Sequence, residues 1–479
     1  MINYRFFTIL CFSTIFFKKE TGAQSFSFPG TRIGNYTGVQ SVFFNPSHAA
    51  DSRYLFDLNL FSINAGFGNN KASYSLNTTF NTFNSTNTLN NFLSGEGRVS
   101  GQLNLDILGP SLLINLNKKS GIVLSSRIRG QFSVTDIDGK LAKTVLDDLK
   151  NGISFPYQIS SGSNMRINTN GWAEYGLTYG RVIKDEKDKL LKIGATIKFL
   201  AGAGNSYAQI NQLSGTLIQP PSPNGNVYLA QGSRGEIGIG ISGKVSSFTP
   251  NQLLQSSSIG LGLDFGLVYE KRSGNSKRHP YKYKLSLSVL DIGSIKYDRD
   301  ISKSGSFNML VTSTPGFDLQ TLQGVSFDGY KQILSTNPNF TPAASNNATT
   351  ITVSLPATIQ LYGDARLFGN LYLSAGTQIS LANNKNPENP FLYSGFTLTP
   401  RYEGRGVGLY FPINYNSLTQ LTMGTTVRLG PLFFGSGSIL SSLLSNSKQA
   451  DFHAGLHLGI LKRAKKKTDE SEAENKTSN

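Results

Sequence analysis

The sequence predicts an all-β fold, namely a transmembrane antiparallel β-barrel of about fourteen strands, with twelve to sixteen as the range. Three observations predict it: long stretches of alternating apolar and polar residues, an alternation of long and short connections, and a composition poor in charge. Charged residues make up 15% of the 479-residue chain, whereas soluble domains average roughly 25%. Glycine and aromatic residues are abundant, which favours strands and turns.

Residues 191–201 show the alternation most clearly. Ile193 and Ile197 fall on one face of a strand, while Lys192 and Lys198 fall on the other, because successive side chains of a strand point to opposite faces. Similar stretches occur at residues 259–270, 281–289, 359–366, 371–381 and 452–460. They run about 10–15 residues, and a tilted strand needs about 9–11 to cross a bilayer.

Connection lengths provide a second test. Strands are predicted near residues 54–66, 102–116, 120–135, 168–182, 189–204, 258–271, 281–297, 354–366, 369–382, 391–402, 404–414, 418–429, 431–438 and 451–461. The connections 67–101 and 205–257 are long, whereas 117–119 and 183–188 are tight. Outer-membrane barrels have short periplasmic turns and longer extracellular loops. We therefore expect a barrel over residues 54–461 in the bacterial outer membrane, with both termini periplasmic.

The two ends of the chain are expected to lie outside the barrel. Residues 1–23 are interpreted as a secretory signal peptide, in which Arg5 precedes a short apolar stretch and Gly22 and Ala23 offer a cleavage region. Cys11 lies in this segment, so cleavage would leave a mature chain without disulfides or thiolate metal sites. Residues 462–479 are basic and then acidic, and are expected to form a disordered periplasmic tail.

The segment before the first predicted strand carries a family resemblance. Residues 33–51 contain the step Asn45-Pro46-Ser47. This segment resembles an uncharacterised outer-membrane β-barrel family of Bacteroidota, a domain of unknown function, and is similar in pattern to fatty-acid-transporter-type (FadL-like) barrels. In the latter the corresponding segment forms a hatch inside the lumen, so the resemblance implies that residues 24–53 form an N-terminal plug. A periplasmic cap that closes the bottom of the barrel is the alternative.

Several charged residues lie opposite the apolar faces of the predicted strands and are expected to face the lumen. They are Arg127, Arg129, Glu174, Lys192, Lys198, Asp264, Glu270, Lys282, Lys284, Asp364 and Arg366. A barrel of about fourteen strands is wider than its side chains can fill, since about eight strands suffice for a packed interior. The charges therefore predict either a polar path or cavity that favours anionic groups, or an ion-pair network that holds a plug, and we favour the network.

The sequence favours no enzymatic function. It contains neither a Gly-x-Ser-x-Gly nucleophile motif nor a Gly-x-x-x-x-Gly-Lys-Ser/Thr phosphate loop. His453 and His457 share a strand face but lie about 13 Å apart at the strand rise, so we expect no metal site and no cofactor. Nucleic-acid binding is not expected from the net charge of +16, because the one dense basic cluster, residues 462–467, is followed directly by acidic residues.

Three functions stay open at this point. The first is passive transport of small hydrophobic or amphipathic molecules, which rests on the strand count, the expected plug and the resemblance. The second is a non-transporting scaffold or interaction barrel of a surface-export or assembly complex, suggested by the long loops. The third is a soluble, secreted glycan-binding protein. The expected partners of a membrane barrel are outer-membrane lipid and lipopolysaccharide, a hydrophobic small molecule and an outer-membrane protein.

Overall fold

The computed structural model describes residues 27–32, 34–76, 97–146, 154–160, 165–221, 225–243, 257–272, 281–343, 348–382 and 386–462. The predicted signal peptide and all but the first residue of the predicted tail lie outside these ranges. None of the helices within them is long and apolar enough to cross a membrane.

Strands dominate the described chain. In chain order they are β1 Tyr54–Asn69, β2 Arg98–Leu108, β3 Ser111–Asn115, β4 Ser120–Asp138, β5 Tyr157–Ser160, β6 Met165–Asp185, β7 Lys189–Ile218, β8 Tyr228–Ala230, β9 Arg234–Gly243, β10 Ile259–Arg272, β11 Tyr281–Asp298, β12 Gly305–Leu310, β13 Gly316–Asp318, β14 Phe340–Pro342, β15 Thr350–Ser354, β16 Thr358–Phe368, β17 Leu371–Ser380, β18 Gly395–Glu403, β19 Val407–Tyr410, β20 Ile413–Asn416, β21 Gln420–Met423, β22 Thr425–Leu429, β23 Leu432–Ser436 and β24 Gln449–Leu461. The α-helices are α1 Gly139–Leu146, α2 Tyr330–Thr336 and α3 Ile439–Leu444, and the 3-10 helices are Gly38–Phe43, Pro46–Ala49, Leu319–Leu322 and Phe327–Gly329.

Within the described residues, fourteen antiparallel staves form a closed ring, as the sequence predicted. A stave is one wall position of the barrel, occupied either by one strand or by two consecutive strands in line. Ten staves are single strands, and four are interrupted pairs: β2 with β3, β15 with β16, β19 with β20, and β21 with β22. The ring closes where β24 pairs with β1. Three of the four breaks contain a proline, namely Pro110, Pro356 and Pro412. Proline has no N–H to donate to the ladder, so a strand pauses there.

The two faces of the wall differ in chemistry. On β7, Ile193, Ile197 and Phe199 point outward and are 42–59% exposed, whereas Lys192 and Lys198 point inward and are 6% and 5% exposed. The other staves repeat this arrangement of exposed apolar and buried polar side chains. An apolar outer face suits lipid, and a closed ring satisfies every backbone group of the wall internally. The all-β transmembrane barrel is therefore confirmed.

The barrel has two distinct ends. At one end, here called the turn end, tight turns such as 116–119, 186–188 and 430–431 join the staves. The first stave begins and the last stave ends there, at Tyr54 and Leu461. The opposite end, here called the loop end, carries the long connections.

Part of the loop end is a folded domain rather than loose loops. The 30-residue strand β7 continues beyond the barrel, where it pairs with β9, and β9 pairs with β12. Strands β5, β8, β13 and β14 and helices α1 and α2 complete this unit, here called the loop-end domain. Its core includes Leu213, Phe307, Phe317 and Phe340. Three long connections therefore share one apolar core.

The spacing of apolar residues predicts helices at 139–150 and 318–334, the first of which falls partly outside the described residues. Helix α1 begins at Gly139 as expected, and residues 147–153 lie outside the described ranges. Residues 318–334 instead form two 3-10 helices and the start of α2. Gly324, with a φ of +68°, lies between the two 3-10 helices, and this left-handed conformation is incompatible with a continuous helix.

A charge on the outer face should destabilise the barrel. Ile197→Arg places a guanidinium on the lipid-facing wall, where arginine costs about 2–4 kcal/mol near the bilayer centre. Leu310→Arg is the control, because Leu310 is equally exposed (56%, against 59% for Ile197) but lies in the loop-end domain. We expect it to change the unfolding free energy by less than about 0.5 kcal/mol. Denaturant unfolding in lipid bilayers checks both values; equal effects would contradict a lipid-facing wall at β7.

Candidate functional site

The N-terminal segment, here defined as residues 27–32 and 34–53, lies inside the ring of strands; residues 24–26 and 33 of the predicted plug lie outside the described ranges. Its hydrogen bonds reach inward-facing side chains of β1, β16, β18 and β22. They run from Phe28 N to Asn64 Oδ1 (3.0 Å), from Arg32 Nη2 to Gln360 Oε1 (2.7 Å), from Asn35 N to Glu403 Oε1 (2.6 Å) and from Thr426 Oγ1 to Pro29 O (2.9 Å). Because these strands occupy separate positions round the ring, the segment lies against several sides of the inner wall. Whether it acts as a plug or as a cap stays a prediction.

The predicted motif Asn45-Pro46-Ser47 forms the start of the second 3-10 helix. The Asn45 side chain caps it, since Oδ1 accepts a hydrogen bond from Ser47 N at 3.0 Å. The amide nitrogen Nδ2 of Asn45 donates to Ser286 Oγ at 2.8 Å and to Leu287 O at 3.0 Å, both on β11. One asparagine thus shapes the segment and fixes it to the wall.

The motif rests on a row of glycines. Gly121, Gly180, Gly194 and Gly266 are direct cross-strand neighbours on β4, β6, β7 and β10. A Cβ at Gly194 would collide with the Pro46 backbone, and one at Gly266 would collide with the Asn45 side chain. Four bare backbones therefore form a shallow seat that lets residues 45–50 approach the wall closely.

A second segment crosses the lumen from the loop end. Residues 386–394, here called the lumen loop, connect β17 and β18, yet their backbone carbonyls meet side chains on the opposite side of the ring. Phe391 O accepts hydrogen bonds from Gln102 Nε2 (2.8 Å) and Gln131 Nε2 (2.7 Å), and Glu388 O accepts one from Asn205 Nδ2 (2.7 Å). The sequence predicted a strand over residues 391–402, whereas β18 begins at Gly395 and residues 391–394 belong to the lumen loop.

Buried charges at mid-barrel form one ion-pair network. Lys198 Nζ lies 2.8 Å from Asp264 Oδ1, 2.6 Å from Asp291 Oδ1 and 3.6 Å from Glu174 Oε2. Arg129 Nη1 lies 3.1 Å from Glu174 Oε1 and 2.8 Å from Asp291 Oδ2. Each of these side chains is at least nine-tenths buried. Arg127 joins the network through Nη1, which lies 3.8 Å from Glu174 Oε2, and it also forms a two-bond pair with Asp106.

A second group of charges holds the N-terminal segment near the turn end. Arg401 donates through both terminal nitrogens to Asp364, at 2.7 and 2.8 Å, and through Nε to Glu403 at 3.1 Å. Glu403 in turn accepts hydrogen bonds from the backbone and side chain of Asn35, at 2.6 and 2.8 Å. Tyr281 donates to Asp364 at 2.6 Å. The buried carboxylate of Glu403 thus binds both Arg401 of the wall and Asn35 of the N-terminal segment.

Of the eleven residues predicted to face the lumen, nine are buried on the inner face, Arg366 is half-buried, and the prediction for Lys282 was wrong. The nine are Arg127, Arg129, Glu174, Lys192, Lys198, Asp264, Glu270, Lys284 and Asp364. Lys282 is exposed because a bulge, at which Lys271 pairs with Tyr283 and Arg272 with Tyr281, leaves it without a partner and reverses the alternation. Arg366 is half-buried beside a turn, where its Nε donates to Gly369 O at 2.9 Å.

Four charged residues of the site escaped the sequence analysis: Asp106, Asp291, Arg401 and Glu403. Asp106, Arg401 and Glu403 follow the period-2 pattern of their strands, so the same argument could have found them. Asp291 breaks the pattern. It sits in a bulge with a φ of +61° and faces inward one residue out of phase.

His453 and His457 have partners in the barrel wall. His457 Nδ1 lies 2.8 Å from Asp57 Oδ1, and His453 Nε2 lies 2.9 Å from Thr426 Oγ1. Among the residues that the structure describes, no group of three or more His, Cys, Asp or Glu side chains is arranged to hold a metal ion.

Small cavities lie within the described part of the lumen, and two of them are larger than a third of about 10 Å³ beside Lys198. One, of about 50 Å³, is bounded by Arg32 and Phe44 of the N-terminal segment, by Leu392 of the lumen loop and by Arg127 and Arg129 of the wall. The other, of about 90 Å³, lies at the turn end beside His48. A drug-sized ligand pocket is about 300–1,000 Å³, so both spaces are small. The lining of the first is polar and apolar in similar measure, and that of the second is mostly polar.

Filling the glycine seat should loosen the N-terminal segment. Gly194→Ala forces the Pro46 backbone away from β7, and we expect a loss of about 1–3 kcal/mol, as for other overpacked sites, with faster proteolysis near residues 45–50. Gly130→Ala on β4 is the control, since the nearest atom to its Cβ would be Leu105 Cβ at 3.6 Å. Unfolding and limited proteolysis of both variants check this; a Gly194→Ala protein identical to Gly130→Ala would refute the seat.

Removing the cation at the centre of the network should be costly. Lys198→Met leaves Asp264 and Asp291 buried without their shared partner, which costs about 3–5 kcal/mol in comparable buried pairs. Lys303→Met is the control, because Lys303 pairs with Asp328 at 2.8 Å on the exposed surface of the loop-end domain, where such pairs contribute less than about 1 kcal/mol. Denaturant unfolding measures both, and similar losses in the two variants would show that the network is not buried.

Comparisons with known proteins place the chain in a family. No curated protein matches it. A FadL homologue of Pseudomonas aeruginosa shares 10% identity over 91% of this chain and 98% of its own, with a TM-score of 0.41. The TodX monoaromatic hydrocarbon channel (a deltaS2 mutant) shares 10% identity over 89% and 95%, with a TM-score of 0.30. Membership of a Bacteroidota lineage stays a prediction. Residues 46–437 match the sequence profile of a family of unknown function (DUF5723), and the chain belongs to that family.

Proposed function

We propose that this protein is an outer-membrane barrel with a closed resting lumen, which serves as a scaffold or interaction partner in a surface-export or assembly complex. One observation carries the proposal: the lumen loop crosses the barrel from one end, while the N-terminal segment contacts several sides of the inner wall from the other. No catalytic role is proposed.

The contacts of the lumen loop support a closed resting state. Its carbonyl groups are held by amides of β2, β4 and β7, across the ring from the strands that carry it. On the other side of the 50 Å³ cavity, Arg32 and Phe44 belong to the N-terminal segment. A molecule passing through would have to displace both segments and separate buried ion pairs.

The loop-end domain supports an interaction role. It has its own apolar core. A barrel whose lumen is closed does not need such a domain for its own stability, so the domain favours a role in binding another protein. Ile301 and Leu310 are apolar side chains on this unit and are 42% and 56% exposed. With short turns in the periplasm, as in other outer-membrane barrels, the loop-end domain would face the outside of the cell and the termini the periplasm.

Passive transport of small hydrophobic or amphipathic molecules is the alternative. It requires the lumen loop or the N-terminal segment to move, and it predicts an apolar path that opens when they do. Its support is the strand count and the N-terminal segment.

Native purification separates the two functions. We expect the full chain, solubilised from its own membranes in mild detergent, to retain a stoichiometric protein partner. Ile301→Asp with Leu310→Asp should release that partner without changing barrel stability. The control carries Gln219→Ala and Gln231→Ala, two exposed polar positions of the same domain, and should retain it.

Reconstituted liposomes complete the test. Under the scaffold proposal the wild-type protein admits no small amphipathic solute. A lone barrel in native purification, combined with saturable solute uptake into liposomes, would overturn the proposal and favour transport.

A further inference from the structure

The cavity at the turn end has an unusual charged lining. It measures about 90 Å³ and is enclosed by the N-terminal segment and by β7, β10 and β11. Its ionisable lining comprises His48, Asp51, Arg53, Lys192, Glu270 and Lys284, together with the phenol of Tyr281. Lys192 and Lys284 each lie three residues from the start of their strands, so the cavity is about 10 Å from the turn end at the strand rise.

The two lysines of this cavity differ in how closely carboxylates approach them. Lys192 Nζ lies 3.0 Å from Glu270 Oε1, and both side chains are buried. Lys284 is 7% exposed, and the carboxylate oxygen that it meets, Asp364 Oδ2, is 4.0 Å away and already accepts a hydrogen bond from Arg401. Its other contact among the described residues is with the ring face of Tyr281, 4.9 Å from the ring centroid, and a buried ammonium without close hydrogen-bond acceptors is unfavourable. Lys284 therefore has capacity for an anion in the adjacent cavity.

His48 offers a second contact for a ligand, as a hydrogen-bond acceptor rather than a donor. Its Nδ1 lies 3.2 Å from Ser41 O, which places the proton of a neutral ring on Nδ1. Its Nε2 is buried and has no hydrogen-bond partner among the described residues. In the neutral ring Nε2 presents a lone pair, so a ligand that satisfies it must bring a donor.

The rim of the turn end is strongly basic. Its exposed cations include Lys118, Lys119, Arg181, Lys187 and Arg405. The acidic residues of the 185–188 turn are largely paired: Asp185 with Arg272, Glu186 with Lys184, and Asp188 with Lys271. The rim therefore carries excess positive charge, which concentrates anions at the entrance.

We propose that this cavity binds a phosphate group, either as free inorganic phosphate or as a phosphomonoester headgroup of a lipid. The phosphate monoanion combines the two features that the lining requires. Its charged oxygens accept hydrogen bonds from Lys284 and Lys192, and its P–OH donates to Nε2 of His48. Sulfate has the same size and shape but no proton to donate at neutral pH. The cavity is large enough, since about 10–15 Å³ of such space already holds one water molecule.

Isothermal titration of the full chain in phosphatidylcholine nanodiscs tests the site. At equal ionic strength and neutral pH, sodium phosphate should bind saturably and sodium sulfate at least about tenfold more weakly, the difference expected for one hydrogen bond to a charged group. Lys284→Met should weaken phosphate binding by at least the same factor. The control Lys296→Met changes an exposed lysine on the same strand, β11, and should leave binding unchanged.

Two further variants keep the test decisive if Lys284→Met fails to fold. Asp51→Asn removes a carboxylate from the lining and should strengthen phosphate binding; asparagine tolerates the φ of +54° at this position. His48→Leu should abolish the preference for phosphate over sulfate. If phosphatidic acid in the nanodisc blocks the titration, the natural ligand is a headgroup; if it does not, free phosphate is. Equal binding of phosphate and sulfate to the wild type, or no effect of Asp51→Asn and His48→Leu, would overturn the proposal.

Discussion

Charge pairing inside the barrel is the constraint on which the rest of this structure depends. The wall must be apolar outside, because it faces lipid, and every polar side chain of a period-2 strand is then directed inward. The inward-facing charges at mid-barrel are buried, and a buried charge without a partner is costly. Lys198, Glu174, Asp264 and Asp291 meet this requirement by sharing one network across β6, β7, β10 and β11. The ion pairs thus allow charged side chains to be buried inside the barrel.

The chain fills its own interior with backbone rather than with large side chains. At the turn end, four glycines aligned across neighbouring strands let residues 45–50 rest directly on the wall. At the loop end, inward-facing Gln102 and Gln131 hold the carbonyl of Phe391. A fourteen-stranded ring is too wide for side chains to close. Two segments of few residues cross it, and the cavities of about 50 and 90 Å³ lie between and beside them.

The strands of the barrel wall could be predicted from the sequence, whereas the contacts of the segments inside the lumen could not. Alternation such as that of Ile193, Lys192 and Ile197 depends only on the strand period, so the faces could be predicted without knowing the register. Lys282 and Asp291 escaped because bulges shift the phase by one residue. The glycine seat depends on cross-strand register, which is invisible in a single chain. The lumen loop is held through its backbone carbonyls, which every residue type has, so its residue types do not reveal these contacts. The core of the loop-end domain joins residues from three connections that are distant in sequence, so it could not be predicted from local patterns.

The accessibility of the space between the two segments tests the closed lumen most directly. Thr358 lines the 50 Å³ cavity and is 1% exposed. In a Cys11→Ser background, Thr358→Cys should react with a water-soluble, charged maleimide at least about a hundredfold more slowly than Thr312→Cys, an exposed position in the loop-end domain, since reaction requires local opening. Equal labelling rates at the two positions would show that water and solutes reach the middle of the barrel, and would contradict a lumen closed by the N-terminal segment and the lumen loop.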